Sequence, residues 1–209
     1  MDVQAISADS NCGSVALAAC ASVCPITLVM GTHPTIKSVA IDALHLGVLP
    51  PETQAAFREV AVLPFLQEKW YLAGGTALAL QVGHRSSEDL DFFTEEKDFD
   101  TGLMERDLTS SSDWITSRAT AGTLYGTLAG AKMSLIAYPF FNPIGTPLRC
   151  GTVRILPPDD IASMKIIAIS QRGKKRDFVD LYWWTQVHGT ALGATILRAT
   201  EQFPGRKHN

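Results

Sequence analysis

Apolar and polar positions fall into a strand, turn, helix, strand order near the middle of the chain. Trp70-Tyr71-Leu72-Ala73 is an unbroken apolar run of strand length. Gly74-Gly75-Thr76 ends it, a short helical pattern runs over Ala77–Val82, and Gly83 supplies the left-handed residue that closes such a helix. Asp89 to Phe93 then alternates, which places Asp89 and Asp91 on one face of a strand and turns Leu90 and Phe92 to a core. Upstream, Ile36–Leu46 is ambiguous. Leu49-Pro50-Pro51-Glu52 marks a helix start, and Thr53–Leu66 reads as a helix with Phe57, Val60, Ala61 and Leu63 inward.

Downstream, Asp100–Leu108 has helical character. Trp114–Ala119, Thr123–Leu128 and Lys132–Tyr138 read as strands separated by turn signals at Gly122 and Gly130. Pro139–Pro147 is a loop and Thr152–Leu156 another short strand. Pro157-Pro158-Asp159-Asp160 opens a helix running to Gln171, and Arg172–Lys175 is a charged turn. Arg176–Val187 forms a second helix, with Phe178, Leu181, Tyr182, Trp183 and Trp184 as its core positions. Ala191–Phe203 forms a third. The expected class is α+β, with a mostly mixed sheet of four or five strands. Its organisation is a poorly structured extension over 1–35, a core over 36–156 and a helical C-terminal part over 157–209.

The chain has 209 residues and a net charge of −3, so bulk charge advertises no nucleic-acid partner. The charge is segregated, however. An acidic stretch runs from Glu88 to Asp107, and Lys165, Arg172, Lys174, Lys175 and Arg176 form a basic one. Either these are two solvated surface runs, or they meet around a metal-bound phosphate. Cys12, Cys20, Cys24 and Cys150 form neither a disulfide framework nor a zinc site. Residues 1–36 hold no Lys or Arg, so the apolar run over Val15–Met30 lacks the positive start of a secretory signal, and it is too short to span a bilayer. Met30 is an alternative start, and no segment reads as transmembrane.

Two carboxylates on one strand face repel unless a cation lies between them. A hard oxygen-seeking ion such as Mg²⁺, which also takes phosphate oxygens, suits them. The glycine pair lets backbone N–H groups approach an anion, and the following helix points its positive end at it. The adjacent glycines do not make a dinucleotide fingerprint, no Gly-Lys-Ser/Thr triplet makes a P-loop, and Phe92-Phe93 excludes an EF-hand calcium loop. Sugar-nucleotide transferases also use Asp-x-Asp, but without this upstream turn. The plain alternative is a turn followed by surface charges. On the later helix, Ile161, Lys165, Ala168 and Arg172 share a face, so Lys165 and Arg172 can both address phosphates. The competing reading is a helical hairpin whose Arg176, Asp177 and Asp180 form internal salt bridges.

Two blocks in this order carry a family resemblance. The first is Tyr71-Leu72-Ala73-Gly74-Gly75-Thr76-Ala77-Leu78-Ala79-Leu80 with Gly83-His84-Arg85 and Asp89-Leu90-Asp91-Phe92-Phe93. The second is Asp160-Ile161-Ala162-Ser163-Met164-Lys165 with Ala168, Arg172 and Arg176-Asp177-Phe178-Val179-Asp180-Leu181. Over roughly Pro50 to Trp184 the chain resembles the AbiEii/AbiGii nucleotidyltransferase toxin family. The resemblance implies a minimal DNA polymerase β-type nucleotidyltransferase fold over 36–156, followed by the helical part. It implies transfer of NMP from an NTP to a hydroxyl acceptor in the bacterial cytoplasm, with RNA as the expected acceptor. It also implies a role as the toxin of a toxin–antitoxin or abortive-infection system, with an antitoxin or transcriptional regulator as partner and no membrane.

Carried over by position, Gly74, Gly75 and Thr76 would cradle phosphates. Asp89 and Asp91 would be catalytic and hold Mg²⁺, with Mn²⁺ as an alternative. Lys165, Arg172 and Arg176 would bind the nucleotide, Lys165 also serving catalysis, and Asp177 would be an acid/base or network residue. The chain departs from the family pattern at Lys132-Met133-Ser134-Leu135-Ile136, where many such enzymes carry a third carboxylate. That departure leaves a second class open, a catalytically weak or inactive nucleotide-binding or protein-interaction module.

Overall fold

A computed structural model describes residues 36–205. The expected extension over 1–35, with Met30, Cys12, Cys20 and Cys24, and the last four residues lie outside the described residues. The strands are β1 (Lys37–Ser38), β2 (Tyr71–Ala73), β3 (Leu90–Thr94), β4 (Ile115–Thr120), β5 (Thr123–Leu128), β6 (Ala131–Ala137), β7 (Leu148–Cys150) and β8 (Val153–Ile155). The helices are α1 (Pro51–Val60), α2 (Gly74–Val82), α3 (Thr101–Ser111), α4 (Pro158–Gln171), α5 (Lys175–Tyr182) and α6 (Leu192–Gln202).

The α+β class is the one the sequence predicts, but the sheet is larger. Among the described residues it has eight strands in the order β1-β7-β8-β2-β3-β6-β5-β4. β7 falls between the expected loop over Pro139–Pro147 and the expected strand over Thr152–Leu156, and it pairs antiparallel with β8 through Arg149↔Arg154. A three-residue strand carries too short a pattern to announce itself. Helix α1 also stops at Val60, earlier than expected, and a separate turn over Pro64–Leu66 follows.

The centre of the sheet is β3. It runs antiparallel to β2, with Ala73 opposite Asp91, and parallel to β6, with Asp91 opposite Ser134. Alternation assigns the faces. Leu90, Phe92, Leu124, Leu128, Met133 and Leu135 are buried on one side, whereas Asp91, Ser134 and Tyr125 lie on the other. Helix α2 is apolar almost all round because it is enclosed, with Ala77, Leu78, Ala79 and Leu80 all without exposure. Gly83 closes it at φ +69°.

Helix α5 corrects the expectation for its core positions. Its buried residues are Asp177 and Asp180, while Phe178, Val179 and Tyr182 face out, Tyr182 with 64% of its surface exposed. Trp184 does reach the core, on a π-helical continuation over Trp183–Val187. The helix is turned by what its carboxylates bind, described below, rather than by its apolar stripe.

A second buried carboxylate fastens the C-terminal helix. Asp160 Oδ2 accepts the backbone N–H groups of Ile144 (3.1 Å) and Gly145 (3.0 Å), and its Oδ1 accepts Arg198 Nε of α6 at 2.9 Å. The Phe141 and Phe203 rings, 5.0 Å apart, meet beside the same loop. Removing the carboxylate strands Arg198 and two amides at once. Asp160→Ala is therefore expected to cost about 3 kcal/mol in urea unfolding; a loss within error of zero would show that α6 is held by apolar packing alone.

Candidate active site

The β2–α2 junction explains both glycines. Gly74 has φ +72°, a left-handed conformation that a side chain disfavours, and a Cβ there would lie 3.4 Å from Asp91 Oδ2. At Gly75 the constraint is space, because a Cβ would fall 2.1 Å from Arg85 Nη2. The residue capping α2 is Ala73, which offers no side-chain acceptor to the first-turn N–H groups. An anion can therefore take that role at this helix end. Thr76 is buried, and its hydroxyl donates to the backbone oxygen of Asp89. Its one proton being used there, the Ser87 hydroxyl donates to Thr76 Oγ1 at 2.7 Å. Thr76 thus pins the segment entering β3.

That segment presents the two carboxylates. Asp91 Oδ1 accepts the Ser134 hydroxyl at 2.6 Å, so the position facing Asp91 across β6 holds a neutral donor. Burial pushes Asp91 above the ordinary value of 3.8. The Ser134 hydrogen bond opposes this, the neighbouring Asp89 charge adds to it, and Arg176 and Lys165 oppose it. Asp89 lies 3.5 Å from Arg176 Nη1 and is partly exposed.

The cations rest on a buried network. Lys165 Nζ is 2.9 Å from Asp177 Oδ1 and 2.7 Å from Asp180 Oδ2. Arg172 Nε donates to Asp177 Oδ2 at 3.1 Å. Arg85 grips Asp180 with both arms, Nε to Oδ1 at 2.6 Å and Nη2 to Oδ2 at 2.9 Å. His84 Nε2 meets Oδ1 at 2.8 Å. Burial by itself would raise both carboxylates. The hydrogen bonds from Arg172 and Lys165 to Asp177, and from His84, Arg85 and Lys165 to Asp180, outweigh it and hold both below the ordinary value.

These groups enclose a cleft of about 380 Å³. Gly74, Gly75, Thr76, Asp89, Asp91, Lys165, Arg172 and Arg176 all line it. Asp177 does not; it sits behind Lys165, fully buried, so the structure gives it the place of a network residue. Among the described residues no group of three or more His, Cys, Asp or Glu side chains is placed to hold a metal. The two aspartates fit a cation that completes its shell with phosphate oxygens and water, and Asp91 is a buried carboxylate with a second negative charge beside it.

Arg85, Ser134 and Tyr125, which also line the cleft, were not among the residues expected from sequence to form the site. Arg85 stands within the Gly83-His84-Arg85 motif, which was its only signal. Ser134 showed only as a missing acid.

Residues 55–122 and 141–209 match the model of the family described as nucleotidyl transferase AbiEii toxin, type IV TA system. A relative, an uncharacterized protein of Aquifex aeolicus (strain VF5), is 37% identical over 147 residues, which is 69% of this chain and 70% of that protein. Among solved structures, JHP933 from Helicobacter pylori aligns with TM-score 0.45 and 22% identity over 66% of this chain and 68% of that one. The antibiotic-resistance factor ANT(2'')-Ia aligns with TM-score 0.43 and 11% identity over 72% of this chain and 91% of its own. Among the described residues no helix is long and apolar enough to cross a membrane.

The network has a measurable signature. Asp180→Ala leaves the Lys165 ammonium with one carboxylate, Arg85 with only the Ser86 carbonyl and His84 with no hydrogen-bond partner, and is expected to cost about 3–5 kcal/mol in chemical unfolding. Because both carboxylates are depressed, their contribution is complete above about pH 5. It shrinks as the unfolded carboxylates protonate and is lost as pH falls through the lower folded values. Stability against pH should therefore drop on the acid side in the parent protein and less steeply in Asp180→Asn; superimposable curves would contradict the network.

Proposed function

We propose that this chain, which belongs to the AbiEii nucleotidyltransferase toxin family, binds an NTP in the cleft beside Asp89 and Asp91 and transfers its nucleoside monophosphate to a hydroxyl group, with RNA as the acceptor. The observation carrying this reading is the convergence on one cleft of an uncapped helix N-terminus, two adjacent carboxylates and four cations. A triphosphate needs that combination, with donors for its oxygens on one side and a place for a divalent ion on the other.

In this reading the first-turn N–H groups of α2 and the Arg172 and Arg176 side chains bind phosphate oxygens. Lys165, fixed by two carboxylates, presents its charge without having to be ordered on binding. Asp177 and Asp180 act on the nucleotide only through the cations they orient. Asp89 and Asp91 would hold Mg²⁺ or Mn²⁺, which supplies neutralisation of the charge that develops at phosphorus. Arg176, now facing Asp89, stands where it can turn to phosphate once a cation occupies the carboxylates. The acceptor oxygen bonds to the α-phosphorus and pyrophosphate leaves. The toxin would act in the cytoplasm, with an antitoxin as its partner.

The Ser134 hydroxyl opposite Asp91, where an acid would otherwise stand, favours one rival, a module that binds NTP and transfers nothing.

Incubation with each α-labelled NTP, total RNA and Mg²⁺ or Mn²⁺ separates the two. Label is expected in RNA, and Asp91→Asn should cut transfer by about a hundredfold or more. NTP binding without transfer under either metal, unaffected by Asp91→Asn, would establish the inactive module instead.

A further inference from the structure

The sheet register continues outward from the aspartates in a way the nucleotide site does not use. Asp91 faces Ser134 on β6, Ser134 faces Tyr125 on β5, and Tyr125 faces Arg118 on β4. Side chains opposite one another share a face, so these four form one row across the cleft side of the sheet. With strands about 4.8 Å apart, Tyr125 stands about 10 Å from Asp91, the size of one nucleotide. Beside the row, Lys132 faces Thr127, which faces Ile115 at the edge strand. Arg118 and Lys132 are exposed, Ile115 keeps 69% of its surface open and Tyr125 keeps 39%. Helices α1 and α3 pack against β4, β5 and β6 on the face carrying Leu124, Leu128 and Met133. The Tyr125 face remains open.

Direction of attack gives this open face a task. The cations of the cleft come from α4, α5 and the segment after α2, all on the helical flank of Asp91. On the nucleotidyl-transfer reading, pyrophosphate leaves toward them. In-line displacement at phosphorus requires the attacking oxygen to arrive from the opposite side, which is the sheet flank, over Ser134 and toward Tyr125.

We infer that the open face of β4–β6 is the acceptor subsite, with Tyr125 stacking the unpaired terminal base of a single-stranded RNA and Arg118 and Lys132 taking its backbone phosphates. This rests on the nucleotidyl-transfer reading above. Charge selects the occupant. A protein hydroxyl brings no phosphates, whereas this face offers two cations that form no ion pair among the described residues, in a chain whose net charge is −3. Aromatic rings accept any base by its face, and stacking contributes without base pairing.

The test uses the whole protein, a 5′-fluorescein single-stranded oligoribonucleotide with a free 3′-hydroxyl, and an α-labelled NTP. Tyr125→Ala and Arg118→Glu should each weaken oligonucleotide binding and raise its KM by about tenfold. In Arg118→Glu the kcat, NTP affinity and thermal unfolding should stay those of the parent, and Tyr125→Trp should keep the parent's oligonucleotide binding. Oligonucleotide binding unchanged in both variants overturns the inference. So does Tyr125→Ala weakening the NTP as strongly as the oligonucleotide, which would give the ring to the incoming base. If the parent labels a protein and binds no oligonucleotide, the acceptor subsite falls and nucleotidyl transfer stands. If the parent neither binds NTP nor transfers label, the underlying reading falls with it.

Discussion

A single buried ammonium organises this molecule. Lys165 projects from α4 with all but its cleft-facing edge buried, and an uncompensated charge there would cost several kcal/mol. Asp177 and Asp180 neutralise it from the next helix. To deliver both, α5 must turn its carboxylates inward, and its aromatic residues are left outside. Asp180 then has acceptor capacity to spare, and it draws in Arg85 and His84 from the connection between α2 and β3. Two distant parts of the chain are thereby locked around one charge. The cleft floor and its cationic wall are products of that lock.

The same arrangement separates charge across the site. Cations gather on the helical flank, carboxylates stand at the centre of the sheet, and beyond them β6 offers a hydroxyl where a further carboxylate would have repelled Asp91. On the proposed reading, such a gradient would orient a triphosphate without contact to its base. The family match covers the segments contributing the cations and both aspartates, but not β5 and β6.

Much of this could be read from residue order, and the reasons for the remainder are specific. Gly74-Gly75-Thr76 and Asp89-Leu90-Asp91 announced a turn, a helix and a carboxylate-bearing strand because each is a local pattern with its own period. The helices around Lys165 and Asp177 were visible for the same reason. The inversion of α5 was hidden, because apolar periodicity assigns Phe178 and Tyr182 to a core and carboxylates to water; only the partners in α4 and beside α2, up to 96 residues away, reverse that. Strand β7 was too short to carry a period. Tyr125 belongs to a row defined by register across four strands, and register is not written in any one of them.

Gly75 carries a lesson for genetics. Its place in a nucleotide-binding motif invites the view that any substitution there abolishes toxicity by blocking phosphate. Yet the space above it is filled by Arg85 on its way to Asp180. A side chain at Gly75 therefore disturbs the Arg85–Asp180 contact as well as the helix end, whereas a change at Asp91 leaves that contact in place.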